Sequence, residues 1–191
     1  MNNAINSELL LQYDINKYHP YLYGLKLVNS WYIFGSLTWK DNYRRYDLYR
    51  AQKYREYDFN RLINVFCAYL KLRPRNLAYY RATEFGGGGE AHLHFLIADS
   101  SLKCVSAESC CDLLESLWRS DLKPFDSSWP GVGTAVVKPY DESLEERGLK
   151  YCLKREFDEY GNARERYDML SKPLIKLILT NYTVPKEMFN H

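Results

Sequence analysis

Residues 84–99, EFGGGGEAHLHFLIAD, place four consecutive glycines between two apolar stretches. Glycine reaches positive φ without steric cost, so the run at 86–89 predicts a tight turn. The stretch before it, NLAYYRATEF (76–85), and the stretch after it, AHLHFLIAD (91–99), are rich in residues that favour strands. The segment therefore predicts a β-hairpin, and its second strand carries two of the four histidines of the chain.

The second strand of this hairpin has two different faces, because successive side chains of a strand point in opposite directions. Leu93, Phe95 and Ile97 form an apolar face, which we expect to pack on helices. His92 and His94 share the other face, about 6–7 Å apart along the strand. Two imidazoles at that separation can converge on one metal ion. The alternative hypothesis is that both histidines are ordinary surface or structural residues.

A third metal ligand depends on the register of the hairpin. If the loop spans residues 87–89, Glu84 falls directly opposite His92 on the partner strand. Opposed residues share a face, with Cβ atoms about 5 Å apart. Glu84, His92 and His94 would then form a three-ligand cluster with open positions for water and a phosphate. A slip of one residue would turn Glu84 toward the helices and remove the third ligand.

The order of the remaining elements predicts the fold class. The sequence predicts strands at 30–39 and 133–140 and helices at 44–72, 106–120 (with Ser106 as N-cap), 142–157 and 173–182. With the hairpin, the order is β-α-β-β-α-β followed by helices. It predicts an α+β fold with a central antiparallel sheet of the split, ferredoxin-like type. Both crossover helices should lie on one face, the third strand at the centre, and the 142–157 helix near the open face.

Length and composition narrow the class of protein. The 191 residues predict one domain, with a core at about 30–157 and a helical extension at about 160–191. The five cysteines form no CxxC pair, which indicates free thiols in a reducing, cytoplasmic compartment. The N-terminal residues do not have the pattern of a secretory signal, and no apolar run reaches 18 residues, so we expect no membrane association.

A basic cluster lies between residues 40 and 55. It consists of Lys40, Arg44, Arg45, Arg50, Lys53 and Arg55, and the acidic residues among them are Asp41 and Asp47. Such a cluster could track phosphates, with Lys40, Arg44 and Arg45 as our candidates for nucleic-acid contact. Interleaved tyrosines at 43, 46 and 49 could stack on unpaired bases. An ordinary solvated helix face is the alternative for the whole cluster.

Several of these stretches resemble the motifs of one known family. HLHFLI (92–97) resembles motif II of the HUH endonucleases, the rolling-circle replication initiators of small plasmids and viruses. ATEFGGGGEAHLH (82–94) is similar to the version in which a glutamate about eight residues earlier completes the metal site. KYCLKRE (150–156) resembles the YxxK motif III, which implies Tyr151 and Lys154 as catalytic residues. FGSLTW (34–39) is compatible with motif I.

Motif order distinguishes among the branches of that family. Relaxases place the tyrosine before the histidines, whereas here the histidine motif comes first. The position four residues after Tyr151 is Arg155, unlike the second tyrosine of two-tyrosine initiators. No Walker A motif follows, so the resemblance implies a stand-alone nicking domain that works with a separate helicase and polymerase. Single-tyrosine transposases share the fold and remain an alternative.

The resemblance implies a defined chemistry. Tyr151 would attack a phosphate of single-stranded DNA or an origin hairpin, giving a 5′-phosphotyrosine link and a free 3′-OH. The phenol is a poor nucleophile at neutral pH because its ordinary pKa is about 10. Mn²⁺ or Mg²⁺ held by the histidines and the glutamate would polarise the phosphate. Lys154, three residues after Tyr151, would place a positive charge beside the phosphate or help to deprotonate the phenol.

Two other functional interpretations of the sequence stay open at this point. The chain could be a non-catalytic module that binds single-stranded nucleic acid, since split sheets with exposed aromatic side chains also do so. It could also be a metal-dependent hydrolase that activates water, with Tyr151 in a structural role. Metal dependence separates the two enzymes from the binding module, and a covalent protein–DNA adduct separates the nicking enzyme from the hydrolase.

Overall fold

The computed structural model describes residues 25, 28, 30–40, 47–85, 90–98, 102, 105–119, 133–141, 149, 152 and 165–181. These residues form an α+β fold with one five-stranded antiparallel sheet. The strands are β1 (Trp31–Thr38), β2 (Tyr79–Phe85), β3 (Ala91–Ala98), β4 (Ala135–Pro139) and β5 (Glu165–Leu170). The helices are α1 (Leu48–Tyr69), α2 (Ala107–Arg119) and α3 (Lys172–Asn181), with a short 3₁₀ turn at Pro74–Asn76.

The sheet has the strand order β4-β1-β3-β2-β5, so β3 is central, as expected from the sequence. The α+β class, the first four strands and the three helices are confirmed, with ends displaced by at most a few residues. The expectation that residues after about 160 are only helical is wrong, because β5 pairs antiparallel with β2 at the edge of the sheet. Among the described residues of this extension, the helical prediction holds for α3, which follows β5 directly.

One face of the sheet carries the larger hydrophobic core. Leu93, Phe95 and Ile97 of β3 are fully buried there, as the alternation predicts. Helices α1 and α2 both pack on this face through a set of buried apolar side chains: Phe59, Leu62, Phe66, Leu114, Leu117 and Trp118. Burying a large apolar side chain contributes about 1.5–3 kcal/mol, so this layer holds the two helices to the sheet.

Local signals set where the two crossover helices begin. The Asp47 carboxylate accepts a hydrogen bond of 2.8 Å from the backbone amide of Arg50 at the start of α1. The Ser106 hydroxyl accepts from the amide of Ser109 at 3.2 Å, which confirms the predicted N-cap of α2. Both contacts satisfy amide groups that have no partner inside the helix. After α1 ends, Lys71 adopts a positive φ of 55°, a common conformation just beyond a helix.

Gly35 allows β1 and β3 to pack closely. It lies opposite Phe95 in the register, on the face that supports the helices. A Cβ atom at position 35 would come within 2.2 Å of the Phe95 ring, a separation that side-chain atoms do not tolerate. The glycine of the FGSLTW stretch therefore makes room for a core aromatic ring.

The other face carries a smaller core together with the histidines. Leu96 and Tyr80 lie there with Leu174 of α3. Leu149 and Cys152, both in helical conformation, are buried in the same cluster. These two residues agree with the expected helix near this face, and the rest of the predicted 142–157 helix lies outside the described residues.

The described cysteines lie inside the fold. Four cysteines, at positions 67, 110, 111 and 152, are free and buried. Burial raises the pKa of the Cys67 thiol to about 11 and that of Cys111 to about 12, so both stay protonated near neutral pH. Within the described ranges, no helix is long and apolar enough to cross a membrane.

Candidate active site on the histidine face

The register of the β2–β3 hairpin is the predicted one. Glu84 pairs directly with His92, and Ala82 pairs with His94. Since paired residues share a face, Glu84 and the two histidines lie on the same side of the sheet. The glycine run at 86–89 lies outside the described residues, so the type of turn stays a prediction.

Polar side chains from four adjacent strands meet on this face. Thr38 of β1 pairs with His92, and Ser36 pairs with His94. On the opposite side, Arg166 of β5 pairs with Glu84. Asp168 of β5 pairs with Ala82, whose small side chain separates Asp168 from His94. Two rows of polar groups therefore run across the sheet, with Glu84 placed between an imidazole and a guanidinium.

Arg166 is the centre of a buried ionic cluster. Its Nη1 donates to the Glu84 carboxylate at 2.7 Å, and its Nε donates to Asp168 at 3.0 Å. Its Nη2 donates to the Tyr80 hydroxyl at 2.5 Å and to the carbonyl oxygen of Cys152. The Arg166, Glu84 and Asp168 side chains are only 4, 9 and 6% exposed. A fixed guanidinium thus ties β5, β2 and the segment at Cys152 together.

Burial and charge act in opposite directions on this cluster. Burial opposes the charge on Arg166, yet attraction from the Asp168 and Glu84 carboxylates outweighs it and raises the pKa of the guanidinium. Burial raises the pKa of Tyr80 well above its ordinary value, so its phenol stays protonated and donates to Asp168 at 2.5 Å. The other Asp168 oxygen, Oδ2, is buried and has no hydrogen-bond partner among the described residues.

His94 is buried as a neutral imidazole. Its Nδ1 shares a hydrogen bond of 2.8 Å with the Ser36 hydroxyl, and its ring stacks nearly parallel to Phe34 with centroids 6.4 Å apart. Burial, then the positive charge of Arg166 and the neighbouring His92, lower the pKa of His94 to about 3. A neutral imidazole is the form that can bind a metal ion or accept a proton.

His92 lies at the solvent-accessible end of the histidine face. Its side chain is 43% exposed, and its Nε2 lies 3.7 Å from the carboxylate of Glu90. Glu90 lies immediately before β3. The accessible end of the histidine face is therefore at His92, whereas His94 and Glu84 lie deeper.

The three predicted metal ligands share a face but are not assembled into a metal site. Within the described ranges, no group of three or more His, Cys, Asp or Glu side chains is arranged to hold a metal ion. The physical reason is that Arg166 flanks Glu84 on the side away from His92 and binds its carboxylate at 2.7 Å. A cation already compensates Glu84, so the residues as arranged do not fit the Mn²⁺ or Mg²⁺ site that the resemblance implies.

The two predicted catalytic residues, Tyr151 and Lys154, lie outside the described residues. Their described neighbour Cys152 is fully buried against the histidine face. Its carbonyl oxygen accepts a hydrogen bond from Arg166 and lies 3.3 Å from the Tyr80 hydroxyl oxygen. The chain at Cys152 thus lies one side chain away from Glu84. Burial raises the pKa of the Cys152 thiol, so we assign it no reactive role.

The basic residues predicted to contact nucleic acid differ in their surroundings. Lys40 is exposed just beyond β1, and Arg44 and Arg45 lie outside the described residues. Arg55, which the basic cluster included, is buried: its guanidinium lies 4.7 Å from the Trp39 ring centroid and 3.9 Å from Asp58. Arg55 therefore does not belong to a phosphate-binding surface, because its charge is used inside the fold.

Sequence reasoning missed three residues of this face: Tyr80, Arg166 and Asp168. The two on β5 come from ERYDML (165–170), where charged residues occupy the inward positions. Residues 166–169 do alternate polar and apolar side chains, which is a strand pattern, but the run is short and its polar side chains are the more deeply buried ones. The available signal was the Arg-x-Asp spacing, which places both charges on one face of a strand.

Comparison of the chain with protein-family models, with curated proteins and with solved structures finds no match in any of the three.

Proposed function

We propose that this chain is a site-specific single-stranded DNA nicking and joining endonuclease of the HUH type, which initiates rolling-circle replication. The observation that carries the proposal is the register that puts Glu84 beside His92 on the face of His94. The strand order also supports it, since β3 lies between β1 and β2 as in a split β-α-β-β-α-β sheet. The buried position of Cys152 on this face supports a nucleophile at the adjacent Tyr151.

In the proposed reaction, the phenolic oxygen of Tyr151 attacks phosphorus at a single-stranded site. A bond forms between that oxygen and phosphorus, and the bond between phosphorus and the 3′ oxygen breaks. The phenolic proton is released, and the departing 3′ oxygen takes up a proton, which leaves a 5′-phosphotyrosine and a 3′-OH that primes synthesis. Lys154 would stabilise charge on the phosphate or take part in the proton transfer. The reverse reaction rejoins the strand.

Cofactor and partners belong to the same proposal. The ligands of Mn²⁺ or Mg²⁺ would be His92, His94 and Glu84, on the condition that Arg166 releases Glu84. Lys40 is exposed where the strand would approach, and Arg44 and Arg45 follow it in the chain. A separate helicase and polymerase would act with the nicking domain.

A covalent-adduct gel tests this function. The protein is mixed with Mn²⁺ and a labelled, randomised pool of single-stranded oligonucleotides, then denatured and examined for a shifted band. We expect an adduct that is lost in Tyr151→Phe and strongly reduced in His92→Ala. A matched control is Tyr69→Phe, because that tyrosine is 46% exposed at the end of α1, away from the histidine face. An adduct that survives Tyr151→Phe would refute the assigned nucleophile.

A second candidate is a non-catalytic module that binds single strands, and one specific observation favours it. Arg166 already compensates Glu84, and a buried pair of this kind costs several kcal/mol to break. Binding of the oligonucleotide pool without cleavage, in Mn²⁺ and in a chelator alike, would select this function. Cleavage without an adduct would instead select the water-activating hydrolase.

A further inference from the structure

The solvent-exposed side of α1 carries aromatic and cationic side chains in alternation. Tyr49, Tyr54 and Tyr57 are 68, 52 and 64% exposed. Arg50 and Lys53 are exposed between them, and Arg61 is half-buried one turn further on. We name this surface the tyrosine–cation face of α1 and define it by these six residues. Positions four apart are neighbours on a helix, so Tyr49, Lys53 and Tyr57 form one continuous row.

The two acidic residues within α1, Glu56 and Asp58, are half-buried and make contacts inside the fold. Glu56 lies 3.4 Å from the buried guanidinium of Arg81 and accepts a hydrogen bond from Gln52 at 3.0 Å. Asp58 accepts from the Trp39 indole at 2.8 Å on the core side. No fully exposed carboxylate lies within α1, although its sequence mixes both signs of charge. Within α1 the exposed charged side chains are therefore the cations Arg50 and Lys53, each with one acidic neighbour.

The ionic contacts that the exposed cations make are weak and replaceable. Arg50 lies 3.4 Å from Asp47, and Lys53 lies 3.4 Å from Glu56. Exposed pairs of this geometry contribute little, so either cation can exchange its partner for a phosphate. Lys53 also lies 5.5 Å above the Tyr49 ring, which keeps the cation beside a stacking surface.

We propose that the tyrosine–cation face of α1 binds single-stranded nucleic acid, as a second surface separate from the histidine face. Exposed tyrosines offer flat surfaces for unpaired bases, and cations at helical spacing match a phosphate backbone. The row from Tyr49 to Tyr57 extends about 12 Å along the helix axis. Because α1 packs on the opposite side of the sheet from His92, this surface can hold one part of a strand while the histidine face acts on another.

The test is fluorescence anisotropy with labelled oligothymidylate and the full chain, in a chelator that suppresses nicking. We expect Tyr49→Ala and Tyr57→Ala each to weaken binding at least about fivefold, the loss of one stacked base. The double variant Arg50→Gln/Lys53→Gln should lower the slope of log affinity against log salt by about 1.4. The matched control is Lys172→Gln/Lys176→Gln on α3, where both lysines are exposed.

Each outcome of this test bears on the α1 surface alone. Unchanged affinity and salt slope in the α1 variants would overturn the inference, and so would equal losses in the α3 control. Equal affinity for a duplex of the same length would overturn the assignment to single strands. The adduct gel reports separately on nicking. Adduct formation with normal binding by the α1 variants would refute this surface only, and α1-dependent binding without an adduct would refute the nicking proposal only.

Discussion

Replacing Arg166 with methionine should strongly destabilise the protein. The change keeps an unbranched, flexible side chain but removes the guanidinium charge that binds Glu84 and Asp168. Both carboxylates are at least nine-tenths buried, and their bonds to Arg166 measure 2.7 and 3.0 Å. Removing one partner of a buried ion pair costs about 3–5 kcal/mol, because the remaining charge cannot reach water. For a chain of this size, that loss lowers the melting temperature by about 6–20 °C.

The assay is thermal and urea unfolding at neutral pH, followed by circular dichroism. The matched control is Arg50→Met, since Arg50 is 72% exposed and its contact with Asp47 is 3.4 Å. We expect the control to cost less than about 1 kcal/mol. The triple variant Arg166→Met/Glu84→Gln/Asp168→Asn should regain much of the loss, because it removes the buried charges together. A loss below about 1 kcal/mol in Arg166→Met would refute the account of this cluster.

Three further predictions concern packing, pH and capping. Gly35→Ala should lower the free energy of unfolding by about 1–3 kcal/mol, because the alanine Cβ would meet the Phe95 ring at 2.2 Å. An unchanged midpoint in urea unfolding would contradict this close packing of β1 on β3. In the unfolded state His94 takes up a proton at its ordinary pKa. In the folded state the imidazole stays neutral down to about pH 3. Stability measured in a chelator should therefore fall below about pH 6.5 by up to about 1.4 kcal/mol per pH unit. His94→Gln should lack this contribution, and identical pH profiles for both proteins would contradict the assignment. Ser106→Ala should lower the free energy of unfolding by about 1 kcal/mol, because the serine hydroxyl caps the Ser109 amide. Ser106→Asp should keep the stability, because a carboxylate can accept from the same amide. Equal stability of all three proteins would show that the cap is not formed.

Much of the fold is predictable from local pattern. The alternation of Leu93, Phe95 and Ile97 identifies the buried face of β3, and the apolar stripe of α1 identifies its partner. The glycine run predicts the hairpin and, with a three-residue loop, the pairing of Glu84 with His92. These features depend on residues close together in the sequence, where periodicity and turn chemistry act directly.

The composition of the site depends on distant partners and is harder to predict. Arg166 is 82 residues away from Glu84, and nothing in its neighbourhood indicates that it binds that carboxylate. Arg55 and Arg50 stand in the same basic run, yet one lies under Trp39 and the other in solvent. Tertiary packing decides which charges are buried, so a count of charges along the sequence overestimates the binding surface.

The measurement that tests the central claim most directly is mass spectrometry of the nuclease-trimmed protein–DNA adduct. The account predicts one nucleotide remnant, attached through a 5′ phosphate to the peptide that contains Tyr151. A remnant on any other of the 18 tyrosines, or cleaved DNA with no modified peptide, would contradict it.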